Sequence, residues 1–252
     1  MTAYIIRRLL QAVPVLIGVT SITFLLIYVI PADPARLMMG IRADLATVES
    51  MREELGLNDP LYKQYGRFLW NAVHGDLGRS FSTNEDVLKA ILGRLPATAL
   101  LAFASVLFAV ALGIPIGVIS ALRRNSMVDF SAMLAALAGI SIPVFFLGIL
   151  FAWLFGFHLR WLPMTGYIDE RGIAALILPA VTLGTRPLAL VARLMRSSML
   201  EVLRREYIQA ARARGASEWL VMTKHALINA LNPVLTAISG SLADLLAGAF
   251  FC

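Results

Sequence analysis

Five long apolar stretches constrain this 252-residue chain more than any other feature. They run from Leu9 to Ile30, Pro96 to Ala121, Ser131 to Phe155, Ile173 to Leu194 and Ile228 to Phe251. About 20 apolar residues in a helix cover roughly 30 Å of hydrocarbon. Inside lipid the backbone must satisfy its own hydrogen bonds, which a helix does within one segment. The expected fold is therefore all-α and polytopic, with five transmembrane helices. Composition agrees: 59% of residues are hydrophobic and 15% charged, too apolar a balance for an ordinary soluble domain.

The first stretch has a second reading. Arg7 and Arg8 precede it as they would in a signal peptide, but its 22 residues exceed the usual apolar region and no A-x-A cleavage pattern follows. It is read as a span.

The distribution of basic residues orients the chain. Arg7 and Arg8 lie before the first span and Arg123 and Arg124 after the second. Arg196, Arg204, Arg205, Arg212, Arg214 and Lys224 lie between the fourth and fifth. Cytoplasmic loops collect Lys and Arg, which puts all three groups, and the N-terminus, inside. The formal charge of +6 is thus explained by topology, with no nucleic-acid partner required. Residues 31–95 hold eight basic and nine acidic residues and fall outside by alternation.

That outer segment carries helix signals. Thr47 is positioned to cap a helix with Val48, Met51 and Leu55 on one face and Gly56 as its stop. Asp59 and Pro60 open a second, with Leu61, Tyr65, Phe68 and Leu69 on one side, and Gly75 and Gly78 break the chain after it. Residues 1–94 are expected to form one domain, a transmembrane helix plus an extracytoplasmic helical segment, and residues 95–252 a transmembrane core. Pro96 and Pro179 are expected in the first turns of their spans, where a missing N–H costs little.

Between the fourth and fifth spans the sequence departs from lipid chemistry. Leu200 to Arg214 favours helix, Gly215 should end it, and Ser217 can cap a second helix carrying Trp219, Met222 and Ala226. Ala210, Ala211, Ala213 and Ala216 leave a smooth surface around the turn, suited to close approach by another protein. A basic amphipathic helix lying on the inner leaflet is the alternative.

The run Gln209-Ala210-Ala211, three further residues and Gly215 resembles the EAA loop of membrane permeases from bacterial ABC importers. The version "EYIQAARARGAS" with "HALINALNPVL" after it is similar to that of the dipeptide, oligopeptide and nickel permeases. "IIRRLL", "PADPAR", "ELGLNDPLYKQY", "GDLGRS", "RLPAT", "SIPVFFLG" and "WLPMTG" extend the resemblance over nearly the whole chain. It implies an ATP-driven importer subunit in a bacterial inner membrane. The implied partners are a second homologous permease, two ATPase subunits and an extracytoplasmic binding protein. It implies that Glu206, Tyr207, Gln209, Ala210, Ala211, Arg214 and Gly215 form the ATPase-coupling loop. Two departures stand out. The acid of the loop is Glu206, with Gln209 where the general motif has Glu. The family also has six spans, so a chain ending at "LAGAFFC" is expected to be a fragment or a truncated frame.

The resemblance places the transport path between two permeases, which makes polar groups within spans candidates for lining it. Arg186 and Asp244 are ionic groups at membrane depth, costly unless they face water or a counter-charge. They are expected to face a cavity, although snorkelling to the inner interface is open to Arg186. Ser141 and Pro143 suggest a bent helix beside the path, or a serine bonded to its own helix. Ser239, beside Gly240 and Ser241, fits either the path or a helix-packing face.

No cofactor or metal is expected. Cys252 is the single cysteine, and His74, His158 and His225 lie far apart. Lys63, Lys89 and Lys224 follow Tyr, Leu and Thr, so no phosphate-binding G-x-x-x-x-G-K-[ST] loop exists here and any ATP hydrolysis belongs to another subunit. An ion-driven transporter using Asp244 is the alternative function. An intramembrane enzyme lacks a nucleophile and base to support it.

Overall fold

A computed structural model describes residues 2–26, 35–36, 44–54, 56–80, 83, 85–164 and 172–248. The ends of the first and fifth predicted spans at Ile30 and Phe251, together with Leu55 and Cys252, lie outside the described residues. The chain divides into two compact units, Met1–Leu95 and Pro96–Cys252. Helices account for the architecture, and the sole β-pairing among the described residues is the isolated bridge between Arg79 and Asp86.

In the first unit, α1 (Thr2–Phe24) is apolar and faces outward from Ile5 to Val19, while Phe24 near its end is buried. In lipid such side chains need no protein partner. Two short helices follow, α2 (Leu45–Glu54) and α3 (Leu61–Val73). Helix α2 starts before Thr47, which lies inside it and is not its cap. Gly56, at φ +65°, ends this region as the sequence suggests, in a left-handed conformation that disfavours a side chain. The face of α3 expected to be apolar does meet α1. Tyr65 Oη is 2.8 Å from Ser21 Oγ, and the Tyr65 ring packs edge-on against Phe24 with centroids 5.3 Å apart. Leu61, expected on the same face, is exposed.

The long helix α4 (Val87–Leu122) carries the second span. It begins well before Pro96, and α7 (Ala174–Val202) begins before Pro179, so both prolines sit inside helices rather than in first turns. Proline is tolerated within membrane helices because neighbouring groups re-satisfy the freed carbonyls.

The third apolar stretch is not one straight span. It forms α5 (Met127–Ser141) and α6 (Val144–His158), bent by 104° at the break. Ile142 is extended, with φ −78° and ψ 128°. Pro143 dictates this, because its ring disfavours helical geometry in the residue before it. Among the described residues four helices are long and apolar enough to cross a membrane, or five if the bent pair counts as one.

After α7 the chain turns through Leu203–Arg205 into α8 (Glu206–Ala213), then enters α9, continuous from Glu218 to Gly248. Two expectations change here. The single helix from Leu200 to Arg214 is two helices, and the segment capped by Ser217 is the start of the fifth span itself. The first change has a geometric cause. Met199 and Ile208 are both fully buried in one core, yet on a straight helix nine residues would set them about 180° apart. Breaking at Leu203–Arg205 lets both face inward.

Helices α4 and α7 pack through small residues. Ser105, Ala109, Gly113, Gly117 and Ala121 recur every fourth position of α4 and are all buried. A Cβ on Gly117 would lie 2.5 Å from the Ala192 carbonyl oxygen, and one on Gly184 of α7 would lie 2.7 Å from the Ser105 carbonyl oxygen. Removing side chains lets two backbones touch, which drives helix association where lipid gives no hydrophobic force.

Candidate functional site

Helix α8 is a short projection held by two of its own side chains. Ile208 and Ala211, three residues apart, turn inward onto Met195, Met199, Val221 and Ala226. The remaining surface is open: Glu206, Tyr207, Gln209, Ala210, Ala213, Arg214 and Gly215 are exposed. Ala211 therefore belongs to the anchor, not to the smooth outer surface read from the sequence, and Ala216 is half-buried.

The turn after α8 explains the glycine. The Ala216 N–H donates to the Ala211 carbonyl at 3.2 Å and the Gly215 N–H to the Arg212 carbonyl at 2.9 Å. This paired closure requires a left-handed residue at Gly215, whose φ is +83°. Ser217 then caps α9, its Oγ accepting from the Leu220 N–H at 3.4 Å.

Polar contacts staple α8 to α9. Arg212 donates through Nε and Nη2 to the Glu218 carboxylate at 2.7 and 3.1 Å, across the glycine turn. That hydrogen bonding raises the guanidinium above its ordinary pKa. Asn229 Nδ2 donates to Tyr207 Oη at 3.1 Å and to the His225 carbonyl at 2.8 Å. Tyr207 and Asn229 also line a cavity of about 410 Å3 with Ser198, Glu201, Arg205 and Pro233. An anchored helix with small, outward residues and a cleft beside it is suited to being gripped by another protein. Among the described residues no group of three acids, histidines or cysteines is placed to hold a metal ion.

The candidate pathway residues are spread over separate elements. Ser141 and Pro143 flank the break between α5 and α6, and Ser141 Oγ donates to the Leu137 carbonyl at 2.9 Å. Arg186 is on an exposed side of α7. Ser239 shares an exposed side of α9 with Asn232 and Thr236, opposite the buried Ala230 and Val234, whereas Asp244, also exposed, lies about 140° further round the helix. Gly240, next to Ser239, has open space where a Cβ would stand, so no helix packs closely at that position among the described residues. No hydrogen bond or ion pair joins the five to one another among the described residues.

An interior ion pair escaped the sequence reading. Asp129, 4% exposed, accepts from Arg196 and from the Asn125 N–H at 3.0 Å, while Ser126 Oγ accepts from the Asp129 N–H at 3.4 Å. The signal was present: Ser126-x-x-Asp129 is the spacing of a helix-capping pair. The four-residue recurrence of small side chains in α4 was equally visible and equally unread.

Comparison with known proteins supplies a second line of evidence. The family model described as binding-protein-dependent transport system inner membrane component matches residues 113–252. The N-terminal model of the same type of membrane component matches residues 1–102. A putative peptide transport system permease protein of Brucella suis is 44% identical, the match covering 98% of this chain and 80% of the relative. A di/tripeptide transport system permease protein of Pseudomonas aeruginosa is 42% identical, over 99% of this chain and 82% of its own. A dipeptide transport system permease protein of Alkalihalophilus pseudofirmus is 40% identical with the same coverage, 99% and 82%.

Proposed function

From the premise that this chain belongs to the binding-protein-dependent transport system inner membrane components, we propose that it is a permease subunit of an ATP-driven importer of peptides. Peptide as cargo rests on the names of the relatives, which are dipeptide, di/tripeptide and peptide permeases. The subunit forms half of a translocation pathway with a second, homologous permease. Two ATPases engage its cytoplasmic face, and a binding protein delivers substrate outside, where residues 1–94 receive it. The N-terminus lies in the cytoplasm of a bacterium, a reading supported by the distribution of arginines.

One observation carries the coupling role. Helix α8 is fastened to the membrane helices by Ile208 and Ala211 while presenting Glu206, Gln209, Ala210, Arg214 and Gly215 outward. A helix anchored this way transmits displacement. Because α9 leaves the same turn and runs on as one element from Glu218 to Gly248, a push on α8 reaches the turns that bear Ser239 and Asp244. Nucleotide acts by binding one state of the ATPase pair better than the other, and the docked helix shares that preference with the permease.

The test is transport in reconstituted vesicles. The subunit assembled with its sister permease, ATPases and loaded binding protein is expected to take up labelled dipeptide only when ATP is present. Uptake driven by a proton or sodium gradient with the ATPases omitted would overturn the reading.

A further inference from the structure

A cavity of about 500 Å3 opens beside the adjacent ends of α4 and α7, lined by Arg124, Arg196, Ser197, Glu201, Arg204 and Arg205. Two of these arginines are already engaged, Arg196 with Asp129 and Arg205 with Glu201. Arg124 and Arg204 form no ion pair among the described residues. They come from different elements, one just beyond α4 and one just beyond α7, and converge on the same space. An excess of unpaired guanidinium in a preformed hollow calls for an anion.

The surroundings identify what kind. Arg124 sits between Leu122, which ends a membrane helix and is 43% exposed, and Met127, which begins another and is 80% exposed. Phe130, one turn on, is 64% exposed. Cations flanked by outward apolar side chains where spans end match the boundary between headgroups and acyl chains. We propose that this cavity binds the phosphate headgroup of an anionic phospholipid, its acyl chains lying along the exposed residues at the start of α5. The guanidinium fork suits phosphate oxygens, since it can donate two parallel hydrogen bonds. Helix α5 is held at this site from beneath by the bond between Asp129 and Arg196, so the hollow is built before the lipid arrives.

Native mass spectrometry of the protein in neutral detergent, titrated with phosphatidylglycerol or phosphatidylcholine, tests the site. One phosphatidylglycerol is expected to be kept in preference to phosphatidylcholine, and inorganic phosphate at millimolar concentration should not displace it. R124Q/R204Q is expected to weaken retention by about 25-fold, from about fivefold for each basic group at an anionic surface. R124K/R204K, which keeps both charges, should bind within about threefold of the parent. K224Q, which removes a cation elsewhere, should behave as the parent. Equal retention of the two lipids overturns the proposal and leaves these arginines to a protein surface or to water. Displacement by inorganic phosphate overturns the lipid as ligand. Equal loss in the Gln and Lys pairs overturns charge recognition, and loss in K224Q makes the effect one of net charge.

Discussion

The Asp129 carboxylate and the Arg196 guanidinium, 67 residues apart, meet in a forked pair: Nε to Oδ1 at 2.5 Å and Nη2 to Oδ2 at 2.6 Å. Asp129 is 5% exposed at its side chain and Arg196 25%, so removing one partner strands the other in poor solvent. D129N is expected to cost about 3 kcal/mol in unfolding free energy. D129L/R196M, which removes both charges, should cost less. Denaturant unfolding in detergent micelles compares the two, and a double variant as unstable as the single would contradict the assignment.

Glycines 117 and 240 should respond in opposite ways to enlargement. A Cβ at Gly117 meets the Ala192 carbonyl and the Met195 Cβ at 2.5 and 2.6 Å, backbone and packed atoms that cannot yield cheaply. G117V is expected to lower stability by more than about 2 kcal/mol. G240A, with nothing within 4 Å, should be neutral or stabilising by up to about 1 kcal/mol. Thermal melts of the two side by side read the difference, and the reverse order would refute the close approach of α4 and α7.

Anchor and staple in α8 differ in weight. Ile208 is 0% exposed, so I208A should cost about 2–4 kcal/mol and increase hydrogen exchange in residues 206–213. R212Q breaks a solvent-exposed pair with Glu218 and should cost less than about 1 kcal/mol, with less effect still at high salt. Comparable losses for both would mean that the pair, not the apolar anchor, holds the helix.

Gly215 tests coupling. Its φ of +83° disfavours every β-branched residue, so G215V should distort the end of α8 while the membrane helices insert normally. Co-purification of the ATPase subunits is expected to fall at least about tenfold, a loss of about 1.4 kcal/mol in binding. Normal recovery of the ATPases with G215V would remove this turn from the docking surface.

Asp244 tests the pathway. Being exposed on its helix, it contributes no interior contact, and D244N should leave the melting temperature unchanged. Uptake of peptides with a free positive charge should fall in the assembled transporter. If every charged peptide is imported at the parental rate, Asp244 does not touch cargo.

Much of this molecule could be read from its residues because lipid imposes simple rules. Long apolar runs declared the spans, and Gly215 and Ser217 declared the end of one helix and the start of the next. Other features were legible but passed over, such as the Ser126-x-x-Asp129 cap and the small residues every four positions in α4. The prolines misled for a physical reason. Pro96 and Pro179 look like helix starts in isolation, yet a membrane helix tolerates them in its interior, whereas Pro143 does end a helix.

The sequence alone established an all-α membrane chain, the approximate positions of its spans, and a small-residue turn between two of them, because each depends on local chemistry and the solvent. Only tertiary structure decided which way those pieces face. That Ala211 points inward while Ala210 points outward, that Asp129 finds Arg196, and that Arg124 and Arg204 converge are consequences of how α4, α5, α7 and α9 pack. Packing couples residues far apart in the chain, and no local pattern carries that information.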